Sequence, residues 1–148
     1  MADSALLARA QRLLAEERVG VLCTCAGEQP YGSPMNFVFL PAESCVVFAT
    51  SRATRKFHVL VQNPAAAFVV DNRLSVGREQ GASESVIASG RVTEILSTEE
   101  RAKACSALVE RYAALAAFFA DPRNAVFKLS LTSLTYTTGF DSGVELIA

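Results

Sequence analysis

The sequence predicts a mainly β fold (α+β): an antiparallel sheet of about six or seven strands, closed into a barrel, with flanking helices. Three observations carry this. Apolar runs follow one another through short turns instead of through crossover helices, which favours sequential antiparallel pairing. Helical periodicity is confined to the front of the chain, one short segment in the middle and one late stretch. No glycine-rich phosphate loop and no G-x-G-x-x-G follows any strand, so the parallel nucleotide folds are not indicated. At 148 residues, half of them hydrophobic and a fifth charged, the chain fits one domain over residues 1–148 with a core that needs no staples.

Residues 3–17 read as an amphipathic helix, with Asp3 or Ser4 as cap and Leu6, Leu7, Ala10, Leu13 and Leu14 on one stripe. "VGVLCTC" is a strand and "AGEQ" a turn. "PYGSPMNFVFL" is a second strand, interrupted by Gly32 and Pro34 and so suited to an edge or an irregular segment. After "PAES" comes the strand "CVVFAT", then a helix over residues 54–62 that Asn63-Pro64 closes. "AAAFVVD" is a buried strand, and residues 72–83 form a polar loop of a length that often carries function. "ESVIASGRVTEIL" is a strand in which Gly90 marks a bend or bulge. Ser97 and Glu100 have capping-box spacing and open the longest helix, predicted to run unbroken to Phe119. The chain ends in "AVFKLSLTSLTYTT" and "FDSGVELI", one or two further strands.

Net charge is −1 and pI about 5.8, without the basic stripe that a nucleic-acid partner demands. The N-terminus lacks the apolar run of a signal peptide, and no later segment is a membrane span, so the expected location is cytoplasmic. Cys23 and Cys25 are C-x-C, not the C-x-x-C of zinc or redox sites, and His58 is the one histidine; no metal site is predicted. On a strand both thiols share the face of Val19 and Val21, which reads as buried, inert cysteine.

The least generic stretch is "FATSRATRKFH". No acidic residue lies between Glu43 and Asp71, yet Arg52, Arg55 and Lys56 fall together at a strand-to-helix turn. A helix start is already partly positive, so these cations await an anion or are paired by acids from elsewhere in the fold. Arg55 offers a forked contact and Lys56 a point charge; Thr50, Ser51 and Thr54 add hydroxyls beside the first free amides. A phosphate dianion satisfies this chemistry; a solvated basic turn is the alternative.

The order of "YGSPMNFVF", "VVFATSRATRKFHVLVQNPAAAFVV" and "SVIASGRV" resembles the flavin-binding split-barrel family related to pyridoxamine 5′-phosphate oxidase, over roughly residues 10–95. The most specific part is a strand ending in Ala49-Thr50, then Thr54-Arg55-Lys56, then Asn63-Pro64. The resemblance implies a homodimer with flavin mononucleotide (FMN) in clefts between the subunits. Arg55 and Lys56 would hold the phosphate, with Ser51 and Thr54 adding hydroxyls. Ser33, Pro34, Met35 and Asn36 would line the ring, with Ala49 and Thr50 beneath it. Asn72 and Arg73 would reach the cofactor or the opposite subunit.

Oxidases acting on pyridoxamine phosphate carry basic residues near the C-terminus, whereas this chain has no Lys, Arg or His after Lys128. That substrate is therefore not expected. His58 follows Lys56 by two positions and points elsewhere on a helix, so no catalytic residue is named. Two functions stay open: a small flavin-dependent oxidoreductase with a nicotinamide donor, and a flavin carrier or sensor without substrate. A deazaflavin would use the same basic turn.

Overall fold

The computed structural model describes residues 2–74, 83–139 and 143–147. The loop reading over residues 75–82 lies outside them. Helix α1 (Ala2–Glu16) leads into β1 (Val19–Ala26), β2 (Gln29–Asn36), β3 (Val38–Leu40) and β4 (Cys45–Ser51). Helix α2 (Arg55–Gln62), β5 (Ala65–Asp71), β6 (Glu84–Glu94) and α3 (Thr98–Arg111) follow, then α4 (Ala116–Ala120), β7 (Asn124–Thr138) and β8 (Val144–Ile147). All pairings are antiparallel. The order is β2-β1-β5-β6-β7-β4-β3, with β8 beside the second half of β7.

The stretch expected as one strand from Pro30 to Leu40 is two. Up to Asn36 it pairs with β1, and from Val38 onward with β4. These are opposite ends of the sheet order, so the chain crosses from one edge to the other at Phe37 and thereby closes the barrel. The expected edge position of β2 is observed, with an unbroken register to β1. Pro30 and Pro34 are four residues apart and so occupy equivalent positions of that ladder, and an edge strand is where a nitrogen without a proton is tolerated.

Tyr112 fixes the crossover. Its hydroxyl accepts from the Phe37 amide (3.2 Å) and lies 2.7 Å from the Phe37 carbonyl and 2.6 Å from that of Arg18. Its single proton serves one carbonyl at a time. The guanidinium groups of Arg18 and Arg111 lie 5.4 and 5.7 Å from the Tyr112 ring centre. This role breaks the predicted continuous late helix. Tyr112 adopts φ −131° and ψ 64°, a 3-10 turn spans Ala113–Leu115, and only then does α4 begin.

The barrel interior packs Leu22, Phe37, Phe48, Phe68, Val70, Phe127 and Leu129 against the α1 stripe of Ala10, Leu13 and Leu14. A second cluster joins Val47, Ala49 and Val126 to Ala104, Leu108 and Phe119 beneath α3 and α4. At Gly90 the β6–β7 register shifts, and a Cβ there would lie 1.9 Å from the Ser130 carbonyl oxygen, so the expected bulge is one only glycine can form. The expected burial of Cys23 and Cys25 is corrected. Gly20, Leu22 and Thr24 take the inward positions of β1, which leaves both thiols half-buried on the outer face. Cys45 is the buried thiol, and desolvation followed by the nearby Glu43 pushes its pKa up.

Tyr112→Phe keeps the ring and strips the crossover of its hydroxyl. We expect a loss of about 1–3 kcal/mol in stability, the cost of leaving a buried amide or carbonyl unpaired, measured by denaturant unfolding.

Candidate functional site

Strand β4 ends at Ser51 because the chain turns there: the Thr54 amide donates to the Ser51 carbonyl (3.1 Å) and the Ala53 amide to Ser51 Oγ (3.2 Å). Thr54 then caps α2, its Oγ1 accepting from the Phe57 amide (3.3 Å). The Thr54 hydroxyl proton goes to the Ser51 carbonyl (2.8 Å), so in the 3.0 Å contact between Thr50 and Thr54 it is Thr50 that donates. Both threonine protons are thus used inside the turn. The donors left for an incoming anion are the Ser51 hydroxyl, the first amides of α2, which have no intrahelical acceptor, and the basic side chains.

Those basic side chains divide. Arg52 is structural: its amide donates to the Arg123 carbonyl (3.2 Å), its guanidinium pairs with Glu94, and it lies 5.5 Å from the Phe57 ring centre. Arg55 stacks over Tyr31, 4.7 Å from the ring centre. Neither Arg55 nor Lys56 has a carboxylate partner among the described residues. No acid occupies the first turn of α2 either, so the helix dipole and two cations act together.

The Phe37 crossover brings the end of β2 beside the end of β4. A cleft of about 340 Å³ opens there, lined by Pro34, Met35, Asn36, Ala49, Thr50, Ser51, Thr54 and Lys56, all of them predicted from sequence. Four predicted residues lie elsewhere. Ser33 is buried on the inward face of β2. Arg55 rests on Tyr31. Asn72 and Arg73 line a separate hollow of about 660 Å³ between the end of α1, the start of β1 and the end of β5. Asn72 closes the β5–β6 connection through Glu84, with contacts of 2.7 and 3.1 Å, and Arg73 pairs with Asp71 at 3.0 Å.

Sequence reasoning missed the opposite wall: Leu115, Phe118 and Phe119. The signal was present in "AALAAFFA", residues 113–120, whose three large side chains fall at i, i+3 and i+4. This wall is anchored from behind. Asn124 donates to the Phe118 carbonyl (2.8 Å), and Arg101 to the Asn124 carbonyl (3.0 Å). The side chain and then the amide of Arg123 hold the Asp121 carboxyl at about 2. Its pairing is therefore complete above the ordinary 3.8 and lost only as pH falls toward 2.

Among the described residues, none that lines the cleft is a general acid or base with an ordinary pKa near neutrality. His58 is exposed and edge-on to Phe57 at 5.5 Å, outside the lining. Tyr112 is engaged in the crossover. Tyr136 is buried, with its hydroxyl pKa raised by desolvation and then by its bond to Glu84. Among the described residues no group of His, Cys, Asp and Glu has the arrangement of a metal site, and no helix is long and apolar enough to cross a membrane.

A family model described as pyridoxamine 5′-phosphate oxidase matches residues 6–138. No curated protein matches the chain in sequence. In structure the chain is similar to a heme binding protein from Mycobacterium smegmatis (20% identity, TM-score 0.85), over 96% of this chain and 57% of that one. It is also similar to ChuZ of Campylobacter jejuni (11%, TM-score 0.83; 97% and 60%). A FAD-binding protein from Mesorhizobium loti is a third (16%, TM-score 0.70; 87% and 91%). The chain spans little more than half the length of the first of these. At such identities the likeness is one of fold.

The cap gives a direct test of the turn. Thr54→Ala removes the acceptor for both Phe57 and Thr50 and should cost about 1 kcal/mol, whereas Thr54→Ser should retain most of it; thermal unfolding of the pair reads the difference.

Proposed function

The chain belongs to the pyridoxamine 5′-phosphate oxidase family, and from that premise we propose that it binds a flavin, specifically FMN, in the cleft between β2, β4 and α2. One observation supports this above the others: the cleft sets a polar side of Ser51, Lys56 and helix amides against an apolar wall. A planar ring with a phosphate-bearing tail matches both sides, and the volume of about 340 Å³ lies within the range of small-molecule sites. Lys56 and the α2 amides hold the phosphate, with Arg55 as the second charge at the same helix start. Pro34 to Asn36 and Ala49 lie along the ring.

Flavin, when bound, supplies hydride and electron transfer; the chain supplies orientation and controls access of water and substrate. The reading is a small flavin-dependent oxidoreductase taking reducing equivalents from a nicotinamide donor. Heme fits the donor set less well, since the one histidine is outside the lining. The second reading, a flavin carrier without a substrate of its own, is favoured by a lining that offers no acid–base group. The working unit is a homodimer in which Asn72 and Arg73, remote from the cleft of their own chain, serve that of the partner.

Purified protein titrated with FMN should show shifted flavin absorbance and altered fluorescence; an unperturbed spectrum would remove the proposal. Lys56→Ala and Arg55→Ala should each weaken binding by about 1.5–3 kcal/mol if they make charge-assisted phosphate contacts. An unchanged affinity in both returns the turn to a solvated basic face. Dilution that separates the subunits should release FMN, checked by fluorescence beside sedimentation; a monomer of undiminished affinity excludes a shared site.

A further inference from the structure

We infer that Phe118, with Leu115 beside it, is the specificity-determining element of the cleft and restricts its occupant to planar aromatic rings. The inference rests on the flavin reading and adds the residue that selects the ring. The run Ala113–Ala120 contains three large side chains among alanines, and all three line the cleft. Only Phe119 reaches the core, at 3% exposure; Leu115 and Phe118 are each left 37% exposed. The alanines fill no space of their own, so the segment presents little besides these side chains.

Phe118 differs from the other described phenylalanines. Phe37, Phe39, Phe48, Phe68, Phe119 and Phe127 are buried, and Phe57 is partly covered against the core. Phe118 stands at the surface of the cleft, yet it is held in place. Its carbonyl accepts from Asn124, and its ring meets Phe119 edge to face, with centroids 5.9 Å apart and planes at 77°. Phe119 is buried beneath it, so one ring braces the other. A fixed, half-exposed aromatic surface facing a polar wall is suited to stacking on a flat heteroaromatic ring, and offers little to inorganic phosphate.

The two walls then have separable duties. Lys56 and the α2 amides recognise the anionic tail, and Phe118 recognises the ring. The test uses FMN, lumiflavin (the ring without phosphate) and inorganic phosphate as a competitor of FMN. Phe118→Ala should weaken FMN and lumiflavin alike, on the order of tenfold, and leave phosphate competition unchanged. Phe118→Tyr, which keeps the aromatic face, should restore both. Lys56→Ala should weaken FMN and phosphate but spare lumiflavin. Unfolding curves show that each variant is folded. Wild-type protein that binds FMN while Phe118→Ala binds lumiflavin equally well overturns the role of Phe118 and leaves the flavin reading standing. Wild-type protein that binds neither flavin overturns both.

Discussion

The crossover beside the cleft is held by one hydroxyl. Where the chain leaves β1 to join β4, the Phe37 amide and carbonyl face neither ladder, and buried backbone groups without partners are costly. The Tyr112 hydroxyl accepts from that amide, and its one proton goes either to the Phe37 carbonyl or to the Arg18 carbonyl at the start of β1. The crossover is what sets Asn36 beside Ala49 and Thr50. It is also what ends α3, because Tyr112 leaves helical geometry to make this contact. From there the short turn carries the chain into the segment bearing Leu115 and Phe118. The barrel seam and both walls of the cleft thus meet at one residue.

The basic turn illustrates how similar side chains acquire different work. Three cations within five positions invite a single explanation, but burial and partners separate them. Arg52 faces Glu94 and the carbonyl side of the chain before β7, and its charge is neutralised within the fold. Lys56 lines the cleft, and the Arg55 guanidinium lies over the Tyr31 ring. The hydroxyls divide too: those of Thr50 and Thr54 hold the turn together, and the proton of Ser51 is the one not spent on it.

Much of this was legible beforehand. Alternation and turn residues located β1, β4, β5 and β6, and Gly90 announced its bulge, because those signals are local. The turn that carries Ser51, Thr54 and Lys56 was legible because a strand end and a helix start are marked by residue type, whereas the place of Pro34 to Asn36 and of Ala49 and Thr50 beside it was implied by the resemblance to the family. Other features were not local. Nothing in "MNFVF" says that a strand changes partner at Phe37; that follows from a tyrosine 75 residues away. The continuous helix to Phe119 was a sound reading of periodicity, overridden by that same hydrogen bond. The outward aspect of Cys23 and Cys25 depended on which parity of β1 faced the core, which alternation alone leaves undetermined. The remote positions of Asn72 and Arg73 follow from the sheet order, invisible in the chain.

Strand β2 carries a consequence of a different kind. A barrel that closes by passing one strand between its two edges leaves free backbone on that strand, and exposed edges are templates for polymerisation. Pro30 and Pro34 remove donors from that strand, and the other end of the order is β3, three residues long. Both ends of the sheet order thus carry a feature that makes a poorer template for another chain. On a free edge, prolines discourage the addition of another chain, and one of the two, Pro34, also lines the cleft.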